Sequence, residues 1–196
     1  MGLSCLSLGL QSLPGAPLYV VFVLDNGDHQ QAIKKRAKDY VAALAADFRI
    51  PNVMFTLLIA AKEPEVLKET SDESDLTTGL VQSKIAENSS QEESADLNGG
   101  LTKAIQILEG SAGIRAVVVI SDDDDDIAKQ KLATLKSQLA SSRVLLYSIL
   151  LAQHDFFGSK THSRRGVRLN QLSSFSGGGQ NETDHFQPSL QFACAP

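Results

Sequence analysis

The sequence predicts an α/β fold in which a doubly wound, mostly parallel sheet is flanked by helices on both faces. Three observations predict it. The runs Leu18–Leu24, Val53–Ala60, Ile114–Ile120 and Arg143–Leu151 are apolar almost throughout, which is the pattern of strands covered on both sides and not that of strands with one wet face. Between several of these runs, apolar residues recur at helical spacing. Strand and helix alternate, so the strands run parallel with the helices as crossovers.

The elements follow in order. Leu18–Leu24 is the first strand and stops at Asp25. Ile33, Ala37, Tyr40, Val41, Leu44 and Phe48 mark the first helix, with Asp28 placed to cap it and Pro51 beyond its end. Val53–Ala60 is the second strand. Residues 62–94 are rich in Ser, Glu and Asp, a composition that suits a solvated, mobile excursion with at most a short edge strand around Leu80–Ile85. Order returns at Asp96, where Leu97, Leu101, Ala104, Ile105 and Leu108 share one face of a helix ending at Gly110. The strand Ile114–Ile120 follows and should neighbour the first strand in the centre of the sheet. Ala128, Leu132, Leu135 and Leu139 define the next helix, and Arg143–Leu151 the next strand. A loop containing Lys160, Arg164, Arg165 and Arg168 leads to a short helix through Leu169, Leu172 and Phe175, stopped by Gly177–Gly179, with a last segment around His185–Phe192.

With 196 residues and 42% apolar content, the chain can bury a core as one domain. A net charge of −5 argues against a general binder of nucleic acid or anionic membrane. No apolar run approaches the roughly 18 residues of a membrane span. The start, MGLSCLSLGLQSLPG, has no basic residue before its Ser-interrupted apolar stretch and makes a poor secretory signal. The expected compartment is therefore the cytoplasm, with an extracytoplasmic location as the alternative if the N-terminus is processed. Cys5 and Cys194 lie near opposite ends of the chain and read either as two unrelated thiols or as a disulfide joining the termini. The sequons at Asn88 and Asn181 matter only on a glycosylating export route. The histidines have no zinc spacing, and no G-x-S-x-G elbow supports a serine triad.

In a parallel sheet the loops after the strands share one edge, and ligands bind there, outside the strand ends at the topological switch point. Asp25, the run Asp122–Asp126 and the loop from Gln153 therefore share one rim. At this point a resemblance emerges. VVFVLDNGDH resembles the first strand and metal loop of a von Willebrand factor type A (vWA) domain, whose pattern is an apolar strand followed by D-x-S-x-S. ADLNGGLTKAIQIL is similar to the family's T-x-L-x-x-A-L helix, IRAVVVISDDD to its strand ending in T-D-G, RVLLYSILLAQ to its fifth strand, and VRLNQLSSFSGG to its late helix. The likeness spans residues 17–180 and is nearest in form to the bacterial branch. It implies a Rossmann-like vWA domain over residues 17–187, including the polar excursion 62–94, between an N-terminal extension 1–16 and a tail 188–196.

The family's metal-ion-dependent adhesion site (MIDAS) holds a divalent cation with two serines and a threonine, supported by two aspartates. Carried over position by position, the aspartates are Asp25 and Asp122, while the serine positions hold Gly27 and His29 and the threonine position holds Ala95. Three oxygen ligands are thus missing, and a hard cation needs near-complete oxygen coordination. The resemblance accordingly implies a degenerate site with no metal expected, the alternative being magnesium or calcium held weakly by Asp25 and Asp122. Like carboxylates brought together need neutralising, and Arg164 or Arg165 could supply the charge.

Two functional classes follow. The favoured one is a non-catalytic, protein-binding module in a larger assembly, its partner another protein met at a rim of Asp25, Asp28, His29, Asp122, Asp123, Arg164 and Arg165. The alternative is a magnesium-dependent phosphoryl-transfer or phosphodiester enzyme, with Asp25, Asp122 and Asp124 on the metal and an arginine on phosphate. Against the enzyme, Gly27 stands where aspartate-nucleophile phosphatases carry their second acid.

Overall fold

The computed structural model describes residues 16–25, 39–44, 52–72, 75–76, 78, 96–121, 127–151 and 166–183. Six strands, β1 (Leu18–Asp25), β2 (Val53–Ala60), β3 (Glu65–Thr70), β4 (Ile114–Ser121), β5 (Leu145–Leu151) and β6 (Gln180–Thr183), form one sheet in the order β3-β2-β1-β4-β5-β6. Only the β2–β3 pair is antiparallel. Strands β1 and β4 lie side by side at the centre, with both faces of their central residues buried.

Side chains alternate across this sheet and feed two cores. Val20, Phe22 and Leu24 pack with Phe55, Leu57, Val118 and Ile149 on one face, where Tyr40, Val41 and Leu44 of the helical residues 39–44 cover them. The Phe22 and Phe55 rings stack there with centroids 6.0 Å apart. Val21 and Val23 face the other way, with Val117, Val119 and Leu146, under α1 (Leu97–Leu108), α2 (Lys129–Ser142) and α3 (Val167–Ser176). Burying a Val, Leu or Phe fully is worth roughly 1.5–3 kcal/mol, so a strand with two apolar faces gains about twice what a half-wet strand gains per unit length. Helix α1 can settle closely because Gly100 meets Ala60, where an added methyl would come within 2.7 Å of the Ala60 Cβ.

The edges of the sheet depart from the sequence expectation. The polar excursion begins with an ordered strand: β3 pairs with β2 across a register irregularity at Leu57/Leu58. An edge strand needs hydrogen bonds on one side only and little apolar burial, so EVLKET can join the sheet with a half-exposed face. Asp72 N–H donates to Thr70 Oγ1 (3.0 Å) just past its end, and Leu76, fully buried in the first core, pins the segment beyond. The edge strand expected at Leu80–Ile85 lies outside the described residues. At the other edge, β6 is formed by QNET next to β5, upstream of the expected segment His185–Phe192, which lies outside the described residues.

The glycine stop sets up β6. Gly177 adopts φ 83°, the Gly178 N–H donates to Ser173 O (2.9 Å) and the Gly177 N–H to Ser174 O (3.4 Å), the paired bonds of a Schellman motif. Gly178 then passes so close to β5 that a Cβ would fall 1.8 Å from the Leu146 carbonyl oxygen. Gly178→Ala should therefore destabilise the fold by roughly 2–4 kcal/mol, read as a lowered urea midpoint at unchanged slope.

Tyr147 on β5 is half-buried against the first core, and burial raises its phenol above the usual value of 10.0. The folded state therefore favours the neutral phenol. Its contribution is complete below the unfolded value and is lost as pH rises through the folded one. Spectrophotometric titration should show a phenol ionising above 10.0 that disappears in Tyr147→Phe, and stability of the parent should fall more steeply with rising alkaline pH than that of the variant.

Candidate functional site

The crossover from β1 to β2 runs over one face, with the helical residues 39–44, whereas that from β4 to β5 runs over the other, through α2. Neighbouring chain paths thus diverge above the C-terminal ends of β1 and β4 and leave a crevice, the switch point of the sheet. Asp25 ends β1 and Ser121 ends β4, one step past the Leu24–Ile120 pair in the register. Both are buried, at 8% and 2% exposure.

The Ser121 hydroxyl donates to Asp25 Oδ2. A carboxylate removed from water needs donors, and here the adjacent strand supplies one. The candidate rim read from the sequence contains Asp25 and not Ser121. Its signal was there, a hydroxyl closing an apolar run, but its meaning depends on the β1/β4 register.

Two further hydrogen bonds fix other elements of the helical layer. Asp96 Oδ1 accepts from the Gly99 N–H at 2.8 Å and caps α1. Its carboxylate lies one residue after Ala95 of the threonine position. Arg168, the described member of the basic run, donates from Nη1 to Ile127 O at 2.8 Å, tying the start of α3 to the segment that leaves β4. Asp28, His29, Asp122, Asp123, Asp124, Arg164 and Arg165 lie outside the described residues, as do Cys5 and Cys194.

As a metal centre the visible donor set is thin. Among the described residues no three His, Cys, Asp or Glu come together, and Asp25 Oδ2 already accepts a hydroxyl proton. A hard divalent ion takes six or more oxygens, and Gly27, His29 and Ala95 offer none from their side chains. The described residues do not fit such an ion.

Known structures share this architecture. An aerotolerance-related membrane protein from Bacteroides fragilis superposes with a TM-score of 0.65 at 18% identity, over 85% of this chain and 92% of that one. The VWA domain of SpRpn10 superposes with a TM-score of 0.61 at 12% identity, over 89% of this chain and 92% of that one. This is the von Willebrand factor A fold. Proximal thread matrix protein 1 from the mussel byssus, solved with a zinc-occupied MIDAS motif, gives a TM-score of 0.64 at 12% identity over 85% of this chain and 41% of that one. No protein-family model matches the sequence, and no curated protein matches it. At such identities the likeness to vWA structures is one of fold, and the site must be read from its own residues.

The vWA crevice of this chain should respond to Ser121 in a specific way. Ser121→Ala removes a donor from a buried carboxylate and should cost about 1–3 kcal/mol. Ser121→Thr, which keeps the hydroxyl, should recover most of that. Chemical denaturation of the three proteins checks the order.

Proposed function

We propose that this chain is a non-catalytic vWA-type module that binds another protein, as a subunit or interaction partner in a larger assembly, through a rim that works without a metal ion. The observation that carries the reading is the buried Ser121–Asp25 hydrogen bond. In the resemblance, the position of Asp25 supports a cation; here a neighbouring strand engages the same carboxylate. The proposed contact surface comprises Asp25, Asp28, His29, Asp122, Asp123, Arg164 and Arg165, which close or follow the apolar strand runs in the sequence. Loops carried on a rigid sheet are where binding residues concentrate.

The fold neighbours support a vWA-type module and leave the partner open. One of them is called a membrane protein; among the described residues of this chain, no helix is long and apolar enough to cross a membrane.

Calorimetric titration with magnesium, manganese and calcium should show no saturable binding below about 1 mM, the weak end of oxygen-ligand sites. Asp25→Asn should lower stability and leave that response unchanged. Tight binding abolished by Asp25→Asn would instead favour the MIDAS or the magnesium-enzyme reading. Affinity purification of the tagged chain should recover a stoichiometric protein partner whether or not a chelator is present, and loss of the partner on chelation would sink the metal-free rim.

A further inference from the structure

Arg168 stands where helix electrostatics alone would not put a cation. It is the second residue past Gly166, the cap that starts α3, and its Nη1 donates at 2.8 Å to the carbonyl oxygen of Ile127, the residue before Ala128, which starts α2. Neither cap makes a side-chain hydrogen bond, and neither helix has an acid in its first turn. The side chain thus reaches from the positive end of one helix dipole to that of another, which works against its charge. Some other interaction must favour it there.

The acceptor supplies that interaction. Ile127 is fully buried in the second core, and because it precedes the cap its carbonyl lies outside the hydrogen bonds of α2. A buried carbonyl needs a donor, and Arg168 brings a charged one. The base from which it reaches is firm. Gly166 takes φ 74°, and a Cβ there would come within 1.9 Å of Leu150 Cδ1 on β5, while the Asn170 N–H donates to Gly166 O at 2.9 Å. The place of this bond in the chain extends its effect. The segment 122–126 leaves Ser121, whose hydroxyl holds Asp25, and ends at Ile127; the segment 152–165 ends at Gly166. One hydrogen bond therefore joins the points at which the segments carrying Asp122, Asp123, Arg164 and Arg165 re-enter the described fold.

We propose that Arg168 is a positioning residue of the rim: by holding Ile127 O from the first turn of α3, it sets the separation between the acidic segment after β4 and the basic segment before α3. It acts through the backbone it holds and not by contact with the partner, which distinguishes it from Arg164 and Arg165. The inference rests on the proposed protein-binding rim. Releasing the bond would widen the range open to both segments and lower the fraction of molecules whose rim matches a partner.

Spin labels at Asp125→Cys and Ser163→Cys, in the full chain with Cys5→Ser and Cys194→Ser, report the separation by double electron–electron resonance. The parent should give one dominant distance. Arg168→Met, which keeps the aliphatic stem and removes the donors, should lose it, and Arg168→Lys, which can still donate to a carbonyl, should recover part of it. In the unlabelled chain, the partner recovered by affinity purification should bind Arg168→Met about tenfold more weakly, with Arg168→Lys in between. A lowered denaturation midpoint with an unchanged distance would mean a bond that only stabilises the fold and would overturn the proposal. So would a parent with no dominant distance, or partner affinity that survives loss of the distance. If no protein partner is recovered, the reading of the rim as a protein-binding surface fails, and the distances still decide whether Arg168 sets the separation.

Discussion

The architecture depends on the burial of β1 and β4 on both faces. Neither strand has a polar side that could meet water along its central length, so each needs a neighbour on both edges and a layer above and below. That requirement places them in the middle of the sheet, forces the crossovers onto opposite faces, and divides the interior into two cores separated by one layer of backbone. Gly100 against Ala60 and Gly178 against Leu146 are local consequences, points where close packing or chain path leaves no room for a side chain.

The crevice is a by-product of the same constraint. Because β1 and β4 are adjacent but hand the chain to opposite faces, their ends are left at a gap where a carboxylate and a hydroxyl can sit buried and in contact. A carboxylate in that position needs a partner, and metal coordination is one solution among several. Here the neighbouring strand supplies one donor. The electrostatics of the molecule extend the contrast: acids cluster in the stretches after Ala60 and Ser121, whereas the helix bodies over the second core are basic only.

Legibility in the sequence followed burial. The central strands declared themselves because two-sided burial allows almost no polar residue, and α1 because Leu97, Leu101, Ala104, Ile105 and Leu108 must share a face. The edge strands did not. EVLKET and QNET are polar enough to read as loop, and they become strands only because β2 and β5 offer them unpaired backbone groups. Likewise Leu76 stands in a polar stretch of the sequence, and only its burial in the core of Phe22 and Phe55 marks it as an anchor.

By itself the sequence determined the class of fold, the central pairing of Leu18–Leu24 with Ile114–Ile120, and the fact that Asp25 closes a strand at the C-terminal edge of the sheet. Those properties follow from periodicity and local composition, which are written along the chain. The tertiary structure alone decided that Ser121 is a partner of Asp25, that Arg168 reaches Ile127 O, and that Lys103 and Lys131 flank one groove although 28 positions apart in numbering. Contacts of that kind depend on the register between strands and the packing of helices on a shared face, and both are settled by the whole set of buried side chains together.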